Sequence, residues 1–567
     1  MTRRRVLSAS AILAGVLAAA ALLGAAATLP TPAEEAHYRQ YSQHEAIARF
    51  LSRVPELSPQ ARVRVIGRTR EVRGYPSQDL YLCLLSQEGI SRPEERSPEK
   101  PTVLIIASQH GNEQSAKEAA LRLIRDAALG DLRPLLERLN LLVIPQANPY
   151  GNFFDRRTNE QDLDLNRDHV KLESEETAAI HRVFGEWLPE VTIDLHEKGD
   201  DYYRVSIGCV SNLNIDPAIE DYARGRILVD VDRSLARSGI PFHEYLVRAE
   251  MGVNTSAGGA LPEEDLRRRE FMTRYSTTDL NDGRNSLGIY NTLSFIQECS
   301  SRHNLETLEE RTGWQSAGLR AFLESVARNA AAVNSLVRES RADLLEDAGR
   351  DKGESPVILK MDYARDPEQP ELVLKQFQNA ESPILGVLKA GRKAGEAVSE
   401  DDLAPYPWPS RIKVVTRTVR NWFPRVEPRL TVERPRGYII PASRSDIVET
   451  LLRHGLAVQT FIRDARVEED IYRVVEVVPA GYDYLPPRSL TLEKESLTAL
   501  VKEGDFYVSC RQPGANLIPC LLEPQSDYGL IRYQAFDLVP DKGEFYALAR
   551  SSQPGDLPLA PYGNFLR

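Results

Sequence analysis

His110-Gly111-Asn112-Glu113 sets an imidazole three residues before a carboxylate, and His196 offers a second imidazole much further along the chain. Two imidazoles and a carboxylate form a donor set that can hold a hydrolytic zinc ion and leave a fourth position for water. Spacing alone does not select these residues. With 9 His and 82 Asp+Glu in 567 residues, about one His-x-x-acid pair arises by chance, and His303-Asn304-Leu305-Glu306 is a second instance. Their surroundings do select them. His110 follows the apolar run Val103-Leu104-Ile105-Ile106-Ala107, Glu113 stands where a helical pattern begins, and His196 closes Val191-Thr192-Ile193-Asp194-Leu195. Side chains from two strand ends then meet above the carboxyl edge of a sheet, where open α/β sheets take their ligands.

The elements that must position them are legible from periodicity. Short continuous apolar runs at 103–107, 141–144 and 191–195 predict strands buried on both faces. Ser115 to Ala128 places Ala119, Leu123, Ile124 and Ala127 at helical spacing, and Gly318 to Glu346 reads as one long helix. Upstream, a helical stretch from His37 to Val54 precedes strand-like runs at Val63–Thr69 and Asp79–Leu85. Strands alternating with helices imply an α/β unit with a mixed, mainly parallel central sheet and helices on both faces. We place this unit at 37–346. A charged segment after it leads into a β-rich accessory region, 356–567, with strand-like runs at 411–417, 437–440 and 470–478 and one helix, Ser445 to His454.

Between the metal-binding candidates lies a dense polar stretch: Asn148-Pro149-Tyr150-Gly151, Arg156-Arg157-Thr158-Asn159 and Asp164-Leu165-Asn166-Arg167. Taken singly these are a turn and a solvated loop. Taken with His110, Glu113 and His196 in this order, over roughly residues 37 to 335, they resemble the funnelin-type zinc carboxypeptidases. The resemblance implies a zinc ion on His110, Glu113 and His196, with Asp164 fixing the tautomer of His110. It implies that Asn166 and Arg167 grip a terminal carboxylate and that Arg157, or its neighbour Arg156, faces the oxyanion. It further implies Glu298, at the end of Thr292-Leu293-Ser294-Phe295-Ile296-Gln297-Glu298, as general base. Tyr275 is the best-spaced candidate for a tyrosine over the substrate, and Tyr290 the next. The chain departs from the family in three places. Asp168-His169 follows the Asn-Arg pair, Asn-Pro-Tyr-Gly lacks the family's acid, and Cys299-Ser300 follows Glu298.

The implied partner is a peptide with a free C-terminal carboxylate. Deacylation of N-acyl amino acids and hydrolysis of murein peptides fit the same motifs, and a catalytically inactive peptide-binding protein is the reading from another class. A net charge of −11 without a clustered basic surface argues against nucleic acid as a partner. Arg3-Arg4-Arg5 followed by an apolar run to Ala27 reads as an export signal over 1–28, giving a periplasmic or extracellular protein. Membrane contact follows only if that segment stays attached. Five cysteines are too few for a disulfide framework, and spacing leaves open whether Cys510 and Cys520 pair.

Overall fold

The computed structural model describes residues 29–199, 201–250, 271–300, 307–350, 356–378, 413–551 and 557–563. The expected leader at 1–28 and the His303–Glu306 pair lie outside the described residues.

The central sheet has eight strands: β1 (Ala61–Arg68), β2 (Asp79–Leu85), β3 (Thr102–Ala107), β4 (Asn140–Ile144), β5 (Val191–Lys198), β6 (Val205–Cys209), β7 (Phe242–Glu244) and β10 (Leu293–Ser300), in the order β1-β2-β4-β3-β5-β10-β6-β7. A separate hairpin of β8 (Leu246–Glu250) and β9 (Phe271–Tyr275) branches off after β7. The middle strands β4, β3, β5 and β10 run parallel, while β1, β2 and β6 join antiparallel. Every residue of β3, β4 and β10 is buried; β3 and β4 therefore read as apolar runs without alternation, while β10 also buries Ser294, Gln297, Glu298 and Ser300. Helices α1 (His44–Leu57) and α4 (Glu175–Trp187) pack against β1. Helix α2 (Gln114–Leu129) packs with α6 (Leu308–Arg328) over the central strands.

Three elements differ from expectation. The first helix begins at His44, not at His37, because the chain turns through left-handed φ at His37 and Tyr38. β5 continues three residues past the apolar run, so His196 lies inside the strand and not at its end. The extension is possible because the buried Glu197 carboxylate is satisfied by Arg311 at 2.7 and 2.8 Å and by the Ser115 amide at 3.0 Å. The long helix is two, α6 and α7 (Ala330–Asp347), which meet at Asn329. The Asn329 side chain donates to the Ser325 carbonyl at 2.8 Å, offering the backbone an alternative to a continuous ladder.

Beyond Val357 the chain forms two antiparallel strand pairs and a seven-stranded antiparallel sheet, with α8 (Ser445–Arg453) packed against α4. Buried apolar side chains run without a break from Leu104 and Ile193 in the central sheet to Val508 and Leu517 in this second portion. All five cysteines are buried, and no disulfide joins Cys510 to Cys520. Among the described residues no helix is long and apolar enough to cross a membrane.

Candidate metal centre and active site

β3 ends in a turn where Ser108 takes a left-handed φ of 61°, a conformation costly for a side-chain-bearing residue and frequent at functional sites. That turn delivers His110 above the sheet and brings Gly111 hard against the next loop. A Cβ on Gly111 would lie 2.1 Å from the Gly151 carbonyl carbon, so only glycine fits. Asn148 explains the Asn-Pro-Tyr-Gly signature. Its carbonyl oxygen accepts from the Gly151 amide at 2.7 Å, and its NH₂ donates to the Gln109 and Arg157 carbonyls at 3.1 and 3.3 Å. Helix α3 (Pro149–Phe154) thereby locks against the His110 turn, and Asn152 donates to the Gly111 carbonyl at 2.7 Å.

Glu113 occupies the N-cap position of α2, yet its carboxylate makes no capping bond. It turns to the imidazoles instead. Oε1 lies 2.8 Å from His110 Nδ1 and Oε2 lies 2.8 Å from His196 Nδ1, with the two Nδ1 atoms 3.0 Å apart. Among the described residues these three are the one group of His, Cys, Asp or Glu able to hold a metal, with ligand atoms all within 4.8 Å of one another. Each imidazole presents its other nitrogen to a carboxylate: His110 Nε2 to Asp164 at 3.0 Å, and His196 Nε2 to Asp194 at 2.5 Å. A carboxylate accepting from Nε2–H leaves the Nδ1 lone pair free, the tautomer a metal ligand needs. Burial works against charge throughout, but neighbouring opposite charge outweighs it. Asp194 and Glu113 hold His196 well above its usual range, and both imidazoles hold the Glu113 carboxyl well below its own. The centre thus favours positive charge in a donor set of two nitrogens and one carboxylate, which fits zinc.

Asp194 escaped the sequence reading because it sits within an apolar strand run. It belongs to a buried polar chain in which Gln109 Nε2 donates to Asp194 at 2.6 Å, His169 Nε2 donates to Gln109 Oε1 at 2.8 Å, and His181 lies 3.0 Å from His169 Nδ1. The unusual His169 therefore supports the group that orients His196. Asp194→Asn is expected to weaken zinc retention by about 10- to 100-fold, read by competition against a chromophoric chelator. An affinity within about twofold of wild type would remove Asp194 from this role.

Around the centre, Arg157 donates from Nε to Asp164 at 2.8 Å and brings Nη1 within 3.1 Å of His110 Nδ1. Arg156 points elsewhere, to Thr158 and Asp162, with its guanidinium 5.7 Å from the Tyr150 ring. Asn166 reaches His196 Nε2 at 3.3 Å and accepts from the Gly283 amide at 2.9 Å. Arg167 donates to the Asn166 carbonyl at 2.6 Å. Glu298 is opposite His196 in the parallel pairing of β10 with β5 and is buried. Burial and the Glu113 carboxylate push its carboxyl up, against the pull of His196 and His110.

The structure does not bring Tyr275 to this group. Its ring packs on Trp422 with centroids 4.8 Å apart and under the Arg224 guanidinium, and Tyr290 donates to the His454 carbonyl at 2.9 Å. The tyrosine beside the site is Tyr245, between β7 and β8, close enough to Glu298 to feel its charge. Burial and that carboxylate together push the phenol up.

Residues 47–184 match the zinc carboxypeptidase family, Peptidase_M14. Carboxypeptidase 2 of Trichophyton rubrum is 23% identical over 504 residues, spanning 85% of this chain and 81% of its own. Carboxypeptidase E of Caenorhabditis elegans is 28% identical over 190 residues, 30% of this chain and 38% of that one. Among solved structures, a metallo-carboxypeptidase from Burkholderia cenocepacia aligns over 51% of this chain and 70% of its own at 21% identity, with a TM-score of 0.37.

Proposed function

We propose that this chain, a metallopeptidase whose catalytic unit is of the zinc carboxypeptidase family, releases the C-terminal residue of peptides outside the cytoplasm. The observation that carries the reading is the meeting of His110, Glu113 and His196, with Glu298 paired opposite His196. One zinc ion held by the three would supply the Lewis acidity that makes water a nucleophile near neutral pH. The chain's own residues do the rest. Glu298 takes the proton of the attacking water and returns it to the leaving amine. Arg157 faces the negative charge that grows on the carbonyl oxygen, and a guanidinium already fixed by Asp164 needs no reorganisation to do so. Asn166 and Arg167 hold the substrate's terminal carboxylate, a task for planar paired donors. Tyr245 stands beside the Glu298 carboxylate, near enough for its hydroxyl to steady it. Export rests on the basic head and apolar run of residues 1–28.

The test is product analysis with the zinc-loaded protein. A free C-terminal amino acid should appear from unblocked peptides, vanish when the C-terminus is amidated, stop on chelation and return with zinc. Equal cleavage of amidated peptides, or acyl release from N-acyl amino acids in place of peptide trimming, would overturn the carboxypeptidase reading.

A further inference from the structure

Beside Glu298 is a second set of buried charges that peptide-bond hydrolysis as such does not use. Its floor is made by β6 and β10, where Gly208 pairs with Ile296, two residues before Glu298 and on the same face of the strand. Gly208 lets Tyr245 and Arg284 approach the sheet closely there. A Cβ at that position would lie 3.1 Å from the Tyr245 Cβ, 3.3 Å from Arg284 Nη1 and 3.5 Å from Ile296 Cγ2. Tyr245 thus links the pocket to Glu298 on one side and to Arg284 on the other.

Arg284, in the short helix α5 (Gly283–Gly288), is only 2% exposed and spends one nitrogen on Asp282, Nη2 to Oδ2 at 2.8 Å. Its Nε and Nη1 find no hydrogen-bond partner among the described residues. Arg274, 4% exposed, lies close enough to Arg284 for the two charges to repel. It donates to the Ser276 carbonyl and stacks on Tyr363 at 4.2 Å, and its Nε also lacks a partner among the described residues. The carboxylates nearby are committed: Asp282 to Arg284 and the Asn285 amide, and Glu244 to Arg224 at 2.9 and 3.0 Å. Two buried guanidinium groups therefore lie together with a single carboxylate, Asp282, bonded to one of them, an arrangement that costs stability unless another anion completes it.

We infer that this pocket receives the side chain of the residue being released, and that Arg284 selects substrates whose C-terminal residue is acidic, glutamate or aspartate. The inference rests on the carboxypeptidase reading and narrows it. A side-chain carboxylate entering past Tyr245 meets the unmet Nη1 of the guanidinium, a charge-assisted donor that suits a carboxylate. An aliphatic side chain would leave the same donor buried and unmet, and a lysine would add a third cation. A site built on unmet donors discriminates strongly against ligands that cannot satisfy them.

The test is a panel of N-blocked dipeptides ending in Glu, Asp, Gln, Leu or Lys, assayed with the zinc enzyme. The better of Glu and Asp should exceed Gln and Leu in kcat/KM by at least about tenfold and Lys by at least about 100-fold. Arg284→Met should lower the Glu-to-Leu ratio by at least about 100-fold, and Arg284→Lys should restore part of it. Equal or better release of Leu, Gln or Lys by the wild type, or an unchanged ratio in Arg284→Met, overturns the inference and leaves the carboxypeptidase reading standing. Should Arg284→Met not fold, the wild-type panel still decides. If no peptide is trimmed, the carboxypeptidase reading itself fails. The pocket is then judged by calorimetric binding of free glutamate against free leucine to the zinc-loaded Glu298→Gln protein, where equal affinity overturns it.

Discussion

Glu298→Gln is expected to keep its zinc and to lose about 10²- to 10⁴-fold in kcat/KM, the range a positioned general base contributes. The substitution is nearly isosteric and touches none of the three metal donors, so metal content isolates the chemical step from the binding step. Glu298 sits opposite His196 in the β10–β5 pairing, so the carboxylate is fixed relative to the metal by strand register, not by a loop. Its burial raises the cost of ionisation, which makes it a better proton acceptor than an exposed glutamate. Metal content and steady-state rates measured on the same preparation check this. Zinc content and activity both at wild-type level would show that the base lies elsewhere.

Arg532→Ala is expected to lower the free energy of unfolding by about 3–5 kcal/mol, because it strands a buried carboxylate. Arg532 and Asp279 have side chains 0% and 1% exposed, with Nη1–Oδ1 at 2.8 Å and Nη2–Oδ2 at 3.3 Å, and Arg532 also donates to the Tyr484 carbonyl at 2.9 and 3.1 Å. Asp279 in turn accepts from the Asn281 amide at 3.0 Å, so the pair fixes the segment that leads into Gly283 and Arg284. Denaturant unfolding gives the number. Replacing both partners by apolar residues of similar size should recover much of the loss, since the pair as a whole has repaid its own desolvation. A loss under about 1 kcal/mol for the single substitution would mean that water reaches Asp279 after all.

The metal ligands were readable because the two imidazoles follow apolar runs that read as buried strands, Val103–Ala107 and Val191–Leu195, and Glu113 opens a helical pattern. Asp164 and Arg157 followed from the resemblance, and the structure sets both beside His110. Tyr245 was not readable. Counting back from Glu298 assumes an uninterrupted chain, but the β8–β9 hairpin intervenes, so Tyr275, near in sequence, is carried off to Trp422, while Tyr245, ahead of the hairpin, stays at the site. Asp194 was hidden for the opposite reason, as a lone acid in a run whose apolar neighbours suggested only core. The break at Asn329 was invisible because apolar spacing continues in phase across it.

The second portion of the chain grips the first at the segment that carries Arg284. Tyr363 and Tyr528 converge on Thr278 from one side, Asn516 and Ile358 hold Asn214 from another, and Arg532 closes on Asp279 between them. A chain cut before Val357 would not be a smaller version of the same enzyme. It would uncover a face never shaped to meet water and leave the stretch from Thr278 to Arg284 without the side chains that now anchor it.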